Sequence, residues 1–394
     1  MTRGRLLLSA LPVLLTLAVV TLIALLAPIG SGYAAKYLCS QIFVSGRPDA
    51  DQVIREEITP THPMFQLVSS KVDYTSRSVR SVTAFLFEPK LAVFREGYGC
   101  TLATDTDRES LLRQGDGYLR PAPARTDVLW PRGEKGAQPD ARLKAVLEQA
   151  FTEPTGGRRQ TQAVAIVHRG ELIAEKYAAG FTQNTPVLGW SMSKTVTAAL
   201  FGILAREKDI DLDAPAPVAE WQNDIDKKIT PRRLLHMSSG LDFSEVYAPF
   251  GDAPEMLYAH ADMAAYAATR AVAYPPGRWY YSSGDTNILA RILRMQTGGT
   301  AASAQRFARE KLFDPLHMTT AIIEPDASGT FVGSSYMYAS ARDWARFALL
   351  LLKDGRLDGK EILPAGWVSF MRAPVQDSGG QYGGQTWLNA GRDN

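Results

Sequence analysis

A serine and a lysine at the start of an apolar segment constrain the fold of this 394-residue chain more than any other feature. Ser191 precedes Lys194 by three positions, and residues 196–204 that follow are mostly apolar. Residues i and i+3 share one face of a helix, so the lysine amine can reach the serine hydroxyl. A helix that is apolar on nearly every side is buried in a domain. The pattern therefore predicts a serine nucleophile at the mouth of a buried helix.

The chemistry of a serine hydroxyl explains why this position matters. A free serine hydroxyl is protonated at neutral pH and needs a neighbouring base before it can attack a carbonyl group. The partial positive charge of a helix N-terminus also favours an oxyanion on the nucleophile or on the tetrahedral intermediate. The α/β-hydrolase nucleophile motif is G-x-S-x-G, whereas Ser193 stands here where its second glycine belongs. The sequence thus disfavours an α/β-hydrolase.

The N-terminal residues predict a membrane anchor. From Leu6 to Pro28 the chain is apolar apart from three hydroxyl residues, which is long enough for a helix to cross a bilayer. Arg3 and Arg5 precede this run and would keep the N-terminus in the cytoplasm. A cleaved signal peptide is the alternative, with residues 32–35 as its cleavage site. We favour one transmembrane helix over residues 1–30, single-pass in the inner membrane, with the rest of the chain in the periplasm.

The cysteines and the charge balance restrict cofactors and partners. Cys39 and Cys100 are the only two cysteines, and an oxidising compartment would allow a disulfide between them; two free thiols are the alternative. No C-x-x-C or H-E-x-x-H spacing occurs, so we expect neither a metal site nor any other cofactor. The net charge of +2 gives no reason to expect nucleic acid as a partner.

Composition shifts divide the remainder of the chain into three parts. Residues 31–114 hold strand-like runs, Val79–Phe87 among them, and predict a small extension outside the membrane. Residues 115–140 are rich in proline and glycine and indicate a linker. Residues 141–394 form the main domain, which we expect to begin with a helix over residues 141–151 capped by Asp140. A hairpin over residues 162–177 follows, turning at Arg169-Gly170.

A second chemical element lies 90 residues after the serine, where Tyr281 precedes Ser283 by two positions at the start of another helix. Tyr280 is an alternative, but Tyr281 gives the better match. With the serine–lysine pair, this region resembles the serine β-lactamase and penicillin-recognising superfamily. The resemblance is strongest to its class C-like branch, which includes 6-aminohexanoate-oligomer hydrolases. Three further stretches match that branch in order: ITPRRLLHMSSGL at 229–241, EKLFDPLHM at 310–318 and ASARDWARF at 339–347.

The resemblance implies a fold and a role for each matching residue. The fold would be α+β, an α/β sandwich with an all-α subdomain. Ser191 would attack the carbonyl group of an amide or ester, in a small molecule or a peptide, and form an acyl-enzyme. Lys194 and Tyr281 would carry the proton to and from the reacting groups, and which of them is the base stays open. Ser283, Trp190 and Tyr247 would contact the substrate, while His236 would be structural.

Two departures from the family pattern qualify the expected activity. Ser283 stands where many relatives have asparagine, which argues against a β-lactamase and is compatible with another amide or ester substrate. The third motif of the family, a strand with Lys-Thr-Gly or His-x-Gly, is expected beyond Asn394, so we predict a chain that lacks its C-terminal strands and helix. The alternatives to a hydrolase are a peptidoglycan- or ligand-binding member of the same fold without turnover, or a structural membrane protein.

Overall fold

The computed structural model describes residues 3–84, 89–136, 141–223, 228–248, 250–275 and 277–388, without the side chains of 3–20, 22, 23 and 141. The helices are α1 (Arg3–Phe43), α2 (Ala50–Val53), α3 (Arg108–Gln114), α4 (Lys144–Ala150), α5 (Met192–Lys208), α6 (Pro231–Leu235), α7 (Asp252–Ala259), α8 (Met263–Ala268), α9 (Ser283–Gln296), α10 (Ala301–Ala308), α11 (Ala341–Leu352) and α12 (Trp367–Arg372). The strands are β1 (Val68–Asp73), β2 (Ser78–Thr83), β3 (Lys90–Arg95), β4 (Gly99–Leu102), β5 (Ala163–His168), β6 (Glu171–Tyr177), β7 (Val187–Leu188), β8 (Ile322–Ile323), β9 (Met337–Ala339), β10 (Arg356–Leu357) and β11 (Lys360–Glu361). Short 3₁₀-helices lie at Thr59–Thr61 and Pro63–Leu67, and together they form what we call the 59–67 segment.

The strands form separate antiparallel groups. Strands β1 to β4 make a four-stranded sheet in sequence order. Strand β2 lies where the sequence predicts a strand from Val79 to Phe87, and residues 85–87 of that expectation lie outside the described residues. Strand β9 lies between β7 and β8, and β5 pairs with β6. The β5–β6 hairpin forms where the sequence predicts it, because Arg169 (φ 52°) and Gly170 (φ 85°) both adopt the left-handed conformation of a two-residue turn. The predicted α+β class is confirmed.

The helix of the nucleophile lies in the middle of the core. Twelve residues of α5 are buried, from Ser193 to Ala205, and α5 packs against α9. Buried apolar residues of α5, α7, α8, α9 and α11 belong to one continuous hydrophobic cluster. An apolar helix in this position loses contact with water on all sides, which explains why its sequence shows no polar face. The predicted burial of this helix is therefore observed.

The predicted transmembrane helix is wrong. Within the described residues, no helix is both long and apolar enough to cross a membrane. Helix α1 does not end near residue 30 but continues to Phe43, with Ala34, Ala35 and Leu38 fully buried in the protein core. It packs against β2, β3 and β4 and against α7. The second half of α1 thus packs in the protein core, and the predicted inner-membrane and periplasmic location, which depended on the anchor, is corrected with it.

A disulfide crosslinks the N-terminal part of the chain internally, and a buried ion pair joins this part to the main domain. Cys39 of α1 and Cys100 of β4 form the predicted disulfide. Glu324, which follows β8, pairs with Lys36 of α1 and accepts hydrogen bonds from the Ser40 hydroxyl (2.9 Å) and the Cys100 amide (2.6 Å). These bonds satisfy a buried carboxylate that would otherwise be costly. The division at residues 30, 114 and 140 stays a prediction, and Asp140 lies outside the described residues.

Candidate active site

Ser191 lies at a sharp turn between β7 and α5. The preceding residue, Trp190, has φ of 44°, a left-handed conformation that a side chain other than glycine seldom adopts. Ser191 is the N-cap residue of α5 and is exposed to solvent. Strained backbone of this kind persists only where its surroundings hold it in place, and it is common at active sites. The turn presents the serine hydroxyl at the positive end of a buried helix.

Lys194 is buried directly beneath the serine. Its side chain is 1% exposed, and its amine lies 3.3 Å from Ser191 Oγ. The amine also donates hydrogen bonds to Ser283 Oγ (3.0 Å) and to the backbone oxygen of Ser334 (3.0 Å). These three oxygen atoms fix the amine at one place. The i, i+3 spacing that the sequence shows therefore brings the two groups within reach of a proton transfer.

Tyr281 lies beside the lysine, although its contact is made by the ring. The Lys194 amine lies 4.9 Å from the centre of the Tyr281 ring, a cation–π distance. Tyr281 also packs against Trp387, with ring centres 5.2 Å apart. Tyr280 is directed elsewhere and stacks on Tyr274. Of the two neighbouring tyrosines, Tyr281 is thus the one next to the lysine, as the family resemblance implies.

Glu245 is a site residue that the sequence did not reveal. Its two carboxylate oxygens accept hydrogen bonds from Ser283, one from the hydroxyl (2.6 Å) and one from the backbone amide (2.7 Å). Ser283 in turn accepts the hydrogen bond from Lys194. A polar chain therefore runs from Glu245 through Ser283 to the lysine and the nucleophile. Glu245 lies in a loop over residues 242–248, and no motif in the sequence connects this loop to the serine.

Of the predicted substrate contacts, Trp190 and Tyr247 face a pocket and Ser283 does not. Trp190, Ser191 and Tyr247 line a cavity of about 470 Å³. Ser283 is fully buried. Its hydroxyl group donates a hydrogen bond to Glu245 and accepts one from Lys194. Ser283 is therefore placed to hold the lysine and not to touch a substrate.

Two ionisable groups, the half-buried His236 and the buried Asp285, lie outside the contacts of Ser191. The His236 ring stacks on Phe370 at 4.9 Å, and burial, with the nearby positive charge of Arg232, lowers the pKa of His236 to about 4. Asp285 accepts a hydrogen bond from Ser239 (2.8 Å), and burial raises the pKa of its carboxyl group to about 7. A neutral, stacked histidine fits the structural role expected for it.

Comparison with known proteins agrees with this geometry. The Beta-lactamase family model matches residues 147–392, which is more than half of the chain. This chain belongs to the beta-lactamase family. It is similar to the 6-aminohexanoate-dimer hydrolase of Paenarthrobacter ureafaciens, with 26% identity over 68% of this chain and 70% of that protein. Membership in this family, with hydrolases among the similar proteins, makes the chain a serine hydrolase of the β-lactamase-related type.

Two solved structures are similar to the β-lactamase-related chain. A candidate beta-lactamase from Bacteroides dorei superimposes with a TM-score of 0.50 at 22% identity, covering 63% of this chain and 77% of that one. A candidate 6-aminohexanoate-dimer hydrolase from Bacillus anthracis gives a TM-score of 0.48 at 25% identity, covering 70% of this chain and 75% of that one. The Bacteroides structure supports the β-lactamase-like fold.

Proposed function

We propose that this serine hydrolase cleaves an amide or ester bond through a covalent acyl-enzyme on Ser191. The observation that carries the proposal is the buried Lys194 amine, held 3.3 Å from the exposed Ser191 hydroxyl at the N-terminus of α5. A nucleophile with a base in hydrogen-bond reach, and a third group that orients the base, is the arrangement that activates a serine. The third group here is Ser283, joined to Glu245.

The reaction follows from these positions. Ser191 Oγ attacks the carbonyl carbon and loses its proton to the pair formed by Lys194 and Tyr281. The same pair returns the proton to the departing amine or alcohol, so that the carbon–nitrogen or carbon–oxygen bond breaks and the acyl group stays on Ser191. A water molecule then attacks the acyl carbon and gives up a proton to the pair. The pair returns this proton to Ser191 Oγ as the bond between Oγ and the acyl carbon breaks, which releases the acid and restores the enzyme. The positive end of α5 stabilises the oxyanion in both steps.

Labelling with a fluorophosphonate tests the proposal, because this reagent phosphonylates activated serines. The full chain should be labelled at Ser191, and Ser191→Ala should abolish labelling together with hydrolysis of a simple ester. Ser193→Ala is the matched control: Ser193 is buried and accepts a hydrogen bond from the Met337 amide (3.1 Å), so its loss should leave labelling in place. Undiminished labelling or hydrolysis in Ser191→Ala would contradict the proposal.

A further inference from the structure

An apolar pocket lies against Ser191, and half of its wall comes from the N-terminal part of the chain. Its volume of about 470 Å³ is within the range of pockets that bind small molecules. Leu26 and Ile29 of α1 line it, as do Met64 and Phe65 of the 59–67 segment. All of these residues lie before residue 147, where the family match begins. The family domain supplies the nucleophile, and the preceding segment supplies hydrocarbon surface beside it.

Aromatic contacts hold this N-terminal wall against the main domain. The Tyr33 ring of α1 packs on Phe65 (4.9 Å between ring centres) and edge-on against Tyr258 of α7 (5.6 Å). One turn further along α1, the Tyr37 ring stacks on Trp190 at 6.2 Å, directly before the nucleophile. Aromatic pairs at these distances stabilise the packing beyond simple burial. These contacts fix the N-terminal wall of the pocket against the main domain.

The proton-transfer groups do not line this pocket. Lys194, Ser283 and Glu245 form the polar chain described above, and none of them belongs to the pocket wall. The leaving group must receive its proton from the lysine and tyrosine, so it has to depart on the polar side of the serine. The acyl group instead stays bonded to Ser191 through both steps, and it requires space that does not compete with proton transfer.

We propose that the pocket between Ser191 and the N-terminal segment, which consists of α1 and the 59–67 segment, binds the hydrocarbon part of the acyl group. The substrates would then be amides or esters of apolar carboxylic acids. The inference rests on the proposed function, since it takes Ser191 as the residue that is acylated. Burial of hydrocarbon in this apolar pocket supplies the binding energy. The N-terminal segment then determines which acids the enzyme accepts.

A series of p-nitrophenyl esters measures this selectivity on the full chain, because the leaving group stays constant while the acyl chain grows. We expect kcat/KM to rise about two- to fourfold for each methylene from acetyl to hexanoyl, the factor that burial of one CH₂ group provides. A second series, acetate esters of alcohols of rising length, should show a rise of less than about twofold in total. A flat acyl series, or a rise that appears only in the alcohol series, would overturn the inference.

Filling the pocket gives the matched test. Met64→Trp should reduce kcat/KM for the octanoate ester at least about tenfold and leave kcat/KM for the acetate ester within about twofold. The reason is that the tryptophan ring would fill pocket volume that only the octanoyl chain needs. Leu67→Trp is the control: Leu67 is exposed in the same segment and does not line the pocket, so its ratio of octanoate to acetate should not change. Equal loss for both esters in Met64→Trp, with the fold intact, would contradict the inference.

Ala248→Phe fills the pocket from its other wall and guards against misfolding of the first variant. Ala248 is exposed on the same loop as Glu245, so a larger side chain is compatible with folding. It should show the same selective loss for octanoate. The two proposals also fail differently. Ester hydrolysis that survives in Ser191→Ala contradicts the proposed function, whereas Ser191-dependent hydrolysis without acyl selectivity contradicts the pocket alone.

Discussion

The two sides of Ser191 differ both in chemistry and in the part of the chain that supplies them. On one side, Lys194, Ser283 and Glu245 form a continuous line of hydrogen bonds, and all three lie in the region that the family model matches. On the other side, α1 and the 59–67 segment present hydrocarbon and aromatic surface from outside that region. The comparison suggests that the family domain carries the bond-breaking groups while the preceding segment selects the substrate. Substitutions on each side should therefore change different kinetic quantities.

Replacement of Lys194 should have the largest effect on the polar side. Lys194→Met keeps a side chain of similar length in a buried site but cannot accept or donate the proton, so kcat/KM should fall about 10³-fold. The loss should be equal for acetate and octanoate esters, because the lysine does not line the apolar pocket. Steady-state kinetics with both esters measure this. A loss confined to one acyl length would break the distinction between the two sides.

Glu245 should have a smaller effect with a diagnostic pH dependence. Glu245→Gln removes a negative charge that lies two hydrogen bonds away from the Lys194 amine, with Ser283 between them. We therefore expect kcat to fall about tenfold and the pH–rate profile to move to lower pH. The acyl preference should not change. Asp242→Asn is the matched control, because Asp242 is an exposed acid of the same loop. A change in stability without any movement of the pH–rate profile would reduce Glu245 to a capping residue of α9.

Local patterns in the sequence were sufficient for the groups that lie close together along the chain. The i, i+3 spacing of Ser191 and Lys194 determines their proximity on α5, because helix geometry is independent of the rest of the fold. The turn at Arg169-Gly170 likewise gives the β5–β6 hairpin. The predicted Cys39–Cys100 disulfide is also confirmed. The sequence was sufficient here because it contains only two cysteines.

The contacts that depend on tertiary packing were not predictable in this way. Glu245 and Ser283 are 38 residues apart, and nothing in either segment indicates that a loop and a helix terminus meet. The error at α1 has a similar origin, because the sequence records that the run is apolar but not which apolar surroundings cover it. Lys36, within the same helix, pairs with Glu324 far along the chain. This buried ion pair shows that α1 lies in the protein core at Lys36.

The smallest effect that we predict concerns Asp285, two residues after Ser283 on the polar side. Its carboxyl group is 1% exposed, and within the described part of the chain its Oδ2 atom has no hydrogen-bond partner. Burial raises the pKa of this group to about 7, from an ordinary value of 3.8. Between these two values the folded protein retains a proton that the unfolded chain has released, so the free energy of unfolding falls as the pH rises through this window. Above about pH 7 this contribution no longer changes.

Asp285→Asn removes that titration while keeping an oxygen that can accept the hydrogen bond from Ser239. The difference in unfolding free energy, variant minus wild type, should therefore become more favourable to the variant between pH 5 and pH 8, by roughly 2 kcal/mol. Urea unfolding at each pH measures the difference, and Asp242→Asn again serves as the exposed control. A difference that stays constant across this range would contradict the prediction. The acyl preference of Asp285→Asn should equal that of the wild type, because the substitution leaves the N-terminal wall of the pocket unchanged.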